Sequence, residues 1–228
     1  MNHAAPVLGT RTITLDVDLA LKGQGLPAGT RPRERVLAAA HDAVEQGADL
    51  IRPQFIRASR RILGRTSVAV ELPAASLEGE AIVRALEGAE RAVAVVCTLG
   101  ALLDRRVSCL LATDPLLALA FDGLGSGACE RLAAEVCDEI GQEAAAEGNC
   151  VTGPLSPGMI GWPLREAQRQ VFAVVDPAPL GVVLTSSGQM IPRKTLSFIV
   201  GVGPGVRART SCPTCGVGDR CTFRPGHA

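Results

Sequence analysis

The chain has 228 residues, 23 basic and 23 acidic side chains, 47% hydrophobic residues, and an aromatic content of five phenylalanines, one tryptophan and no tyrosine. Its length suits one domain, or one domain with a short appendage, and its apolar content is enough for a sizeable core. Nucleic-acid binding is disfavoured, because such proteins use cationic surfaces and aromatic stacking platforms.

A membrane span and an export signal are also disfavoured. The most apolar uncharged run, residues 92–103, is twelve residues long, whereas a transmembrane helix needs roughly 20. The first twenty residues contain no basic cluster followed by an apolar stretch. We therefore expect a cytoplasmic protein, in which the eight cysteines are thiols or metal ligands and not disulfides.

Hydrophobic spacing predicts the elements of the first half. Alternation over residues 12–19 predicts a strand, and apolar residues at helical spacing predict a helix over 32–50. A second strand is predicted at 67–72. Between the predicted helix at 32–50 and this strand lies a basic run, which we interpret as a solvated face. It is formed by Arg57, Arg60, Arg61 and Arg65.

The middle of the chain follows a helix, strand, helix, helix order. A short helix is predicted at 77–86, a buried strand at 92–97 and a helix at 102–111. A longer helix begins after Asp114 and runs to about 147. The glycines at 123–127 are costly inside this helix, so they indicate close approach by another backbone or by a ligand.

The last third begins with an uncharged, Gly- and Pro-rich loop at 148–164, which contains the only tryptophan and is expected to pack against the domain. A helix at 164–175 and strands at 181–184 and 195–202 follow. Outside the C-terminal segment, five cysteines lie in apolar surroundings, and we predict that they are core residues: Cys97, Cys109, Cys129, Cys137 and Cys150.

Three segments together carry a family resemblance. They are SPGMIGWPL at 156–164, GVVLTSSGQMIPRKTLS at 181–197, and the cysteines near the end of the chain. In this order they resemble the activation domain of cobalamin-dependent methionine synthase, and more closely its stand-alone relatives. CTLG at 97–100 and DGLGS at 122–126 agree with the same order.

The resemblance implies an α+β fold with a central, twisted, mostly antiparallel sheet, flanking helices and a C-shaped outline. This domain would cover residues 1–206, and a cysteine-rich metal-binding tail would cover 207–228. It also implies docking onto a corrinoid protein or cobalamin-dependent methyltransferase, which holds the cobalamin, and binding of S-adenosylmethionine for reductive methylation of cob(II)alamin. The residues implied at the ligand-facing surface are Ser156, Pro157, Gly158, Met159, Pro192, Arg193 and Lys194.

Two positions depart from the family motif. Pro154 stands where the motif has an arginine, and Met159 stands where a tyrosine follows the loop glycine. An arginine binds a carboxylate through two parallel hydrogen bonds, and a proline has no such group. Both departures disfavour binding of S-adenosylmethionine in the manner of the family. Arg193 or Lys194 is the candidate for a substitute cation.

The spacing of Cys212, Cys215 and Cys221 is typical of metal sites. Three thiolates suit an iron–sulfur cluster with a fourth ligand from elsewhere, for which Cys97 and Cys150 are candidates. A zinc site completed by His227 is the alternative. We favour the cluster because cob(II)alamin needs a low-potential electron for its activation.

Three functions follow from these features. The first, which we favour, is reactivation of a corrinoid-dependent methyltransferase by electron delivery, methyl transfer or both. The second is a non-catalytic module that docks on a corrinoid protein and has a structural zinc site. The third is an S-adenosylmethionine-dependent methyltransferase that works without cobalamin. No catalytic residue is assigned, because no nucleophile, histidine and carboxylate occur in a recognisable arrangement.

Overall fold

The computed structural model describes residues 5–27, 29–207 and 221–223. Its helices are α1 (Val17–Gly23), α2 (Glu34–Gly47), α3 (Glu80–Ala85), α4 (Leu102–Leu110), α5 (Pro115–Ala146) and α6 (Leu164–Val174). Its strands are β1 (Val7–Thr10), β2 (Gln54–Arg61), β3 (Gly64–Arg65), β4 (Ala69–Leu72), β5 (Ala75–Glu78), β6 (Arg91–Thr98), β7 (Cys150–Val151), β8 (Val183–Leu184), β9 (Met190–Ile191) and β10 (Thr195–Gly203).

A five-stranded sheet with the order β1-β2-β6-β10-β7 forms the centre, and each neighbouring pair is antiparallel. The pairing brings Gln54, Thr98 and Thr195 side by side across the three central strands. Two smaller sheets, β3-β4-β5 and β8-β9, are antiparallel as well. The predicted α+β class with antiparallel sheets is confirmed.

Strand β6 is apolar from residue 92 to residue 97 because both of its faces are buried. Val93, Val95 and Cys97 belong to a core cluster with residues of α1, α2, α4 and α5. Ala92, Ala94 and Val96 belong to a second cluster with residues of α3, α6, β4 and β5. Successive side chains of a strand point to opposite faces, so β6 lies between two layers of the domain.

The long helix α5 matches its prediction at both ends. Asp114 caps it, because its Oδ1 accepts a hydrogen bond from Leu117 N at 3.0 Å, and Pro115 occupies the first turn. The glycines in the middle meet α1: a Cβ on Gly123 would lie 2.6 Å from the carbonyl oxygen of Ala20, and one on Gly127 2.4 Å from that of Leu19. The expected close backbone approach is confirmed.

Two predictions in the first third are wrong. Residues 12–19 do not form a strand, since Asp16 accepts a hydrogen bond from Leu19 N at 2.7 Å and starts α1, while the strand lies earlier, at Val7–Thr10. The basic run is not simply a solvated face. Arg57 lies inside β2 with a side chain that is 11% exposed, and its guanidinium binds Glu143 of α5 at 2.6 Å. The cap Asp16 lies within the alternating segment, where it starts a helix, whereas the partner of Arg57 is 86 residues away in the sequence.

Other boundaries shift less. The helix predicted at 77–86 is β5 up to Glu78 and α3 from Glu80, while the predicted elements at 32–50, 92–97, 102–111, 164–175 and 195–202 are present with small changes. No helix in the described ranges has the length and apolar character that crossing a bilayer requires.

The core prediction for the cysteines holds for some of them. Cys97 and Cys129 are buried, and burial raises the pKa of both thiols, that of Cys129 to about 12. Cys137 is half-buried, and its pKa is also raised to about 12, mainly by burial. Cys109 and Cys150 are exposed, so the prediction is wrong for them: one lies on the outer side of α4 and the other on the edge strand β7.

Replacing Gly123 with alanine tests the α1–α5 contact. We expect the free energy of unfolding to fall by about 1–3 kcal/mol, because the added methyl group meets backbone atoms. Gly141→Ala in the same helix is the matched control, since its Cβ would lie 3.8 Å from the nearest atom, Cγ2 of Val151. This variant should be neutral or stabilising by up to about 1 kcal/mol. Urea unfolding measures both, and equal effects would contradict the proposed close approach.

Candidate functional site

The motifs at 97–100, 122–126 and 192–194 come together where β6 ends and β10 begins. Thr98 and Thr195 are buried and their hydroxyl groups lie 2.9 Å apart. Gly100, at a φ of +78°, turns the chain, and its N–H donates to Thr98 Oγ1 at 3.2 Å. This turn leads from β6 into α4.

Lys194 is fixed on α5. Its Nζ donates to Asp122 Oδ1 at 2.8 Å and to Ser126 Oγ at 2.9 Å, and its side chain is only 11% exposed. The stem of this side chain crosses Gly125, where a Cβ would lie 3.0 Å from Lys194 Cγ. The glycine inside the DGLGS motif therefore makes room for the lysine, and the flanking Asp122 and Ser126 bind its ammonium group.

Arg193 binds a different helix. Its backbone N–H donates to Asp104 Oδ2 of α4 at 2.6 Å, and its Nε lies 3.8 Å from Asp104 Oδ1. The side chain of Arg193 is 45% exposed. The Arg193–Lys194 pair is thus held between α4 and α5 by two carboxylates. Asp104 was not among the predicted site residues, because it belongs to no motif of its own.

The Gly- and Pro-rich loop runs beside the middle of β10. Leu155 and Ile199 exchange backbone hydrogen bonds of 2.8 and 3.0 Å in an antiparallel bridge. In an antiparallel arrangement the residues after 155 run towards the beginning of β10. The loop at 156–159 and the hairpin that leads into Arg193–Lys194 both meet the start of α6, because a Cβ on Gly158 would lie 3.6 Å from Leu164 and one on Gly188 would lie 3.2 Å from Arg165.

Within the loop, backbone hydrogen bonds form a compact turn. Met159 N donates to Ser156 O at 3.2 Å, and Trp162 N donates to Met159 O at 2.9 Å. Gly158 and Gly161 have φ values of +92° and +83°, which favour glycine. The two glycines therefore let the chain reverse direction within a few residues.

Side chains of the loop divide between the core and the surface. Met159 is 8% exposed and Trp162 is fully buried in the cluster beneath α6, and Trp162 Nε1 donates to Gln170 Oε1 at 2.9 Å. Ser156 and Ile160 are exposed. The expected packing of the loop is confirmed, and Met159 points into the core while its neighbours face outwards.

The hairpin β8-β9 packs against the beginning of α6. A Cβ on Gly188, in the turn of the hairpin, would lie 3.2 Å from the Cα atom of Arg165. Val183 and Ile191 are paired across the hairpin, and both are exposed. This hairpin leads directly into Pro192, which is buried, and then into Arg193 and Lys194.

Most of the predicted metal-binding tail lies outside the described residues, and this includes Cys212, Cys215 and His227. Cys221 is half-buried. Next to it, Thr222 Oγ1 donates to Lys22 O at 2.9 Å, and Phe223 lines a cavity of about 320 Å³ between α1 and α5. Over 5–27, 29–207 and 221–223 there is no group of three or more metal-ligating side chains placed to hold an ion.

Comparison with solved structures identifies the fold. The crystal structure described as the MetH reactivation domain bound to AdoHcy matches with a TM-score of 0.69 over 90% of this chain and 81% of that chain. The chain has the fold of this reactivation domain. Sequence identity is 14%, and no protein-family model and no curated protein sequence matches the chain. The resemblance predicted from the motifs is confirmed.

A double-mutant cycle tests the anchoring of Lys194. For Lys194→Met and Asp122→Asn we expect a coupling free energy of about 1–2 kcal/mol, since the pair is partly buried. The control pair is Arg91 and Glu147, with side chains that are 37% and 51% exposed, and its coupling should be about 0–1 kcal/mol. Chemical denaturation of the four variants of each cycle gives both values, and equal coupling would argue against a special role for Lys194.

Proposed function

We propose that this protein reactivates a corrinoid-dependent methyltransferase, with the cobalamin held by that partner. The observation that carries the proposal is the reactivation-domain fold over 90% of the chain, and the anchored Arg193–Lys194 pair at the beginning of β10 supports it. Docking alone would need only a shaped surface. The paired charges and the buried hydroxyl groups at the same end favour a ligand-binding role.

The ligand in this proposal is S-adenosylmethionine or its product S-adenosylhomocysteine, in keeping with the AdoHcy bound to the structural neighbour. An uncharged backbone segment that the ligand can approach closely is formed by Ser156, Pro157 and Gly158. Met159 packs its side chain into the core and so holds this turn in place. Arg193 is the cation for the ligand's carboxylate, since its side chain is 45% exposed and a guanidinium group suits a carboxylate. Lys194 positions Arg193 by fixing the start of β10 on α5.

We also propose that Cys212, Cys215 and Cys221 hold a metal, with an iron–sulfur cluster favoured over zinc. The spacing of the three cysteines supports this. A cluster would supply the low-potential electron, and Thr222 and Phe223, which rest against α1 and α5, would fasten that segment to the domain.

Ligand binding and reactivation test the main proposal. Isothermal titration with S-adenosylhomocysteine should show binding to the wild-type protein, and Arg193→Gln should weaken it about tenfold or more through loss of a charge-assisted hydrogen bond. Arg35→Gln, an exposed change on α2, is the control and should bind like the wild type.

Reactivation is measured by adding the protein, S-adenosylmethionine and a reductant to a corrinoid methyltransferase in its cob(II)alamin form. Methylcobalamin absorbance should return, and its return should be faster than with the reductant alone. If neither binding nor faster recovery is seen with a panel of corrinoid methyltransferases, the proposal is wrong.

Metal content tests the cysteine tail separately. Protein purified without oxygen should contain iron and acid-labile sulfide and should absorb at about 400 nm, because thiolate-bound iron–sulfur clusters are coloured. Cys215→Ala should lose the iron and keep the circular dichroism of the folded domain, whereas Cys109→Ala, an exposed cysteine of α4, should keep both. A colourless protein with stoichiometric zinc would contradict the cluster and favour the structural zinc site.

A further inference from the structure

A cavity of about 320 Å³ lies between α1 and α5, and neither Arg193 nor Lys194 lines it. Small-molecule sites in proteins occupy about 300–1,000 Å³, so the cavity suits a ligand at the small end of this range. Both charged and apolar side chains form its walls. The charged ones are Asp18, Lys22, Glu130 and Arg131, and the apolar ones include Leu19 and Phe223.

Arg131 is the charged group of the cavity that the fold itself pairs. Its guanidinium donates to Asp16 Oδ2 at 2.9 Å and to the carbonyl oxygen of Thr14. Asp16 is also the residue that caps α1. The charge of Arg131 is therefore balanced by the segment that leads into this helix.

Glu130 differs from Arg131, because its half-buried carboxyl group has no hydrogen bond and no ion pair to the residues that the structure describes. Burial raises the pKa of this group, since burial disfavours the charged form of a carboxyl group that has no cation beside it. Further along α5, Glu139 and Glu143 each bind an arginine. Glu130 therefore has unused hydrogen-bonding capacity on the wall of the cavity.

Lys22 is the complementary group on the α1 side. Its side chain is half-buried, and across 5–27, 29–207 and 221–223 its ammonium group forms no hydrogen bond and no ion pair, although it acts on Asp16 at longer range. Lys22 and Glu130 line the same cavity and do not bond each other. Neither is among the unpartnered polar atoms that lack accessible surface. A molecule in the cavity can therefore contact both groups without a movement of the chain.

We propose that this cavity is a second ligand site, which binds a small zwitterion of the free amino-acid class. Glu130 accepts a hydrogen bond from the ammonium group of the ligand, and Lys22 donates one to its carboxylate. The ligand's side chain lies against Leu19 and Phe223. This inference goes beyond the proposed function and does not depend on it, because the two sites share no residue.

The charges of the cavity favour a zwitterion over a ligand with one charge. The formal charges of Asp18, Lys22, Glu130 and Arg131 cancel, so a ligand without net charge matches the cavity. An amine alone would leave Lys22 without a partner, and a carboxylate alone would leave Glu130 without one. A half-buried charge that stays unpaired in the complex weakens binding.

Isothermal titration of the full-length protein with the standard L-amino acids, one at a time, tests the inference. At least one of them should bind saturably and raise the melting temperature. Two analogues of that amino acid should bind about tenfold more weakly or worse, because each loses a charge-assisted hydrogen bond. One is the amine without the carboxylate, and the other is the carboxylic acid without the amino group.

Two variants locate the binding. Glu130→Gln and Lys22→Met should each raise the Kd of the amino acid about tenfold or more. Neither side chain holds another described residue by a hydrogen bond or ion pair, so the melting temperature without ligand should not fall. Glu135→Gln is the matched control, since Glu135 is half-buried on the same helix and does not line the cavity. It should change neither quantity.

Several results would overturn the inference. No amino acid may bind the wild type, or the amine may bind as tightly as the amino acid, which would show a site for cations only. A lower melting temperature of both variants with an unchanged Kd would show that the two groups are structural.

Titration with S-adenosylhomocysteine separates this site from the proposed function. Glu130→Gln and Lys22→Met should bind it as the wild type does, because other residues are assigned to that ligand. If both variants lose it, the cavity is the S-adenosyl site and the inference of a second site is wrong. If the wild type binds an amino acid and no S-adenosyl compound, the inference stands and the ligand-binding part of the proposed function fails.

Discussion

The burial of both faces of β6 and β10 is the constraint on which the rest of the structure depends. Helices α1, α2, α4 and α5 cover one face, and α3, α6 and the Trp162 loop cover the other. A strand that is buried on both sides is mostly apolar along its length. The buried hydroxyl groups of Thr98 and Thr195 bond each other where β6 ends and β10 begins.

Helix α5 connects this end of the sheet to the rest of the domain. Its glycines admit α1 on one side and the stem of Lys194 on another, so a single short motif serves both packing and charge. Asp122 and Ser126 are one helical turn apart and thus lie on the same side of the helix, where both reach Lys194 Nζ. The glycines of this segment contact α1 and the stem of Lys194, and the polar residues next to them bind the ammonium group of Lys194.

How much of this was predictable depends on whether the signal was local. The uninterrupted apolar run of β6, the Asp114 cap and the loop built around Trp162 are local patterns, and each predicted its element correctly. The partner of Arg57 is 86 residues away and that of Arg193 is 89 residues away, so no local pattern contained them.

The two cations of the Arg193–Lys194 pair differ in exposure and in the strength of their ion pairs. The ion pair of Arg193 with Asp104 is long, at 3.8 Å, and the arginine side chain is 45% exposed, so the pair contributes about 0–1 kcal/mol. Under the proposed function, a ligand carboxylate binds the exposed guanidinium of Arg193, while Asp104 keeps its bond to the backbone N–H of that residue. The ammonium group of Lys194 is bound at 2.8 and 2.9 Å and nearly buried, so withdrawing it would leave Asp122 without its partner. In the proposed function, Arg193 therefore supplies the cation that the chain lacks at Pro154, and Lys194 holds the beginning of β10 on α5.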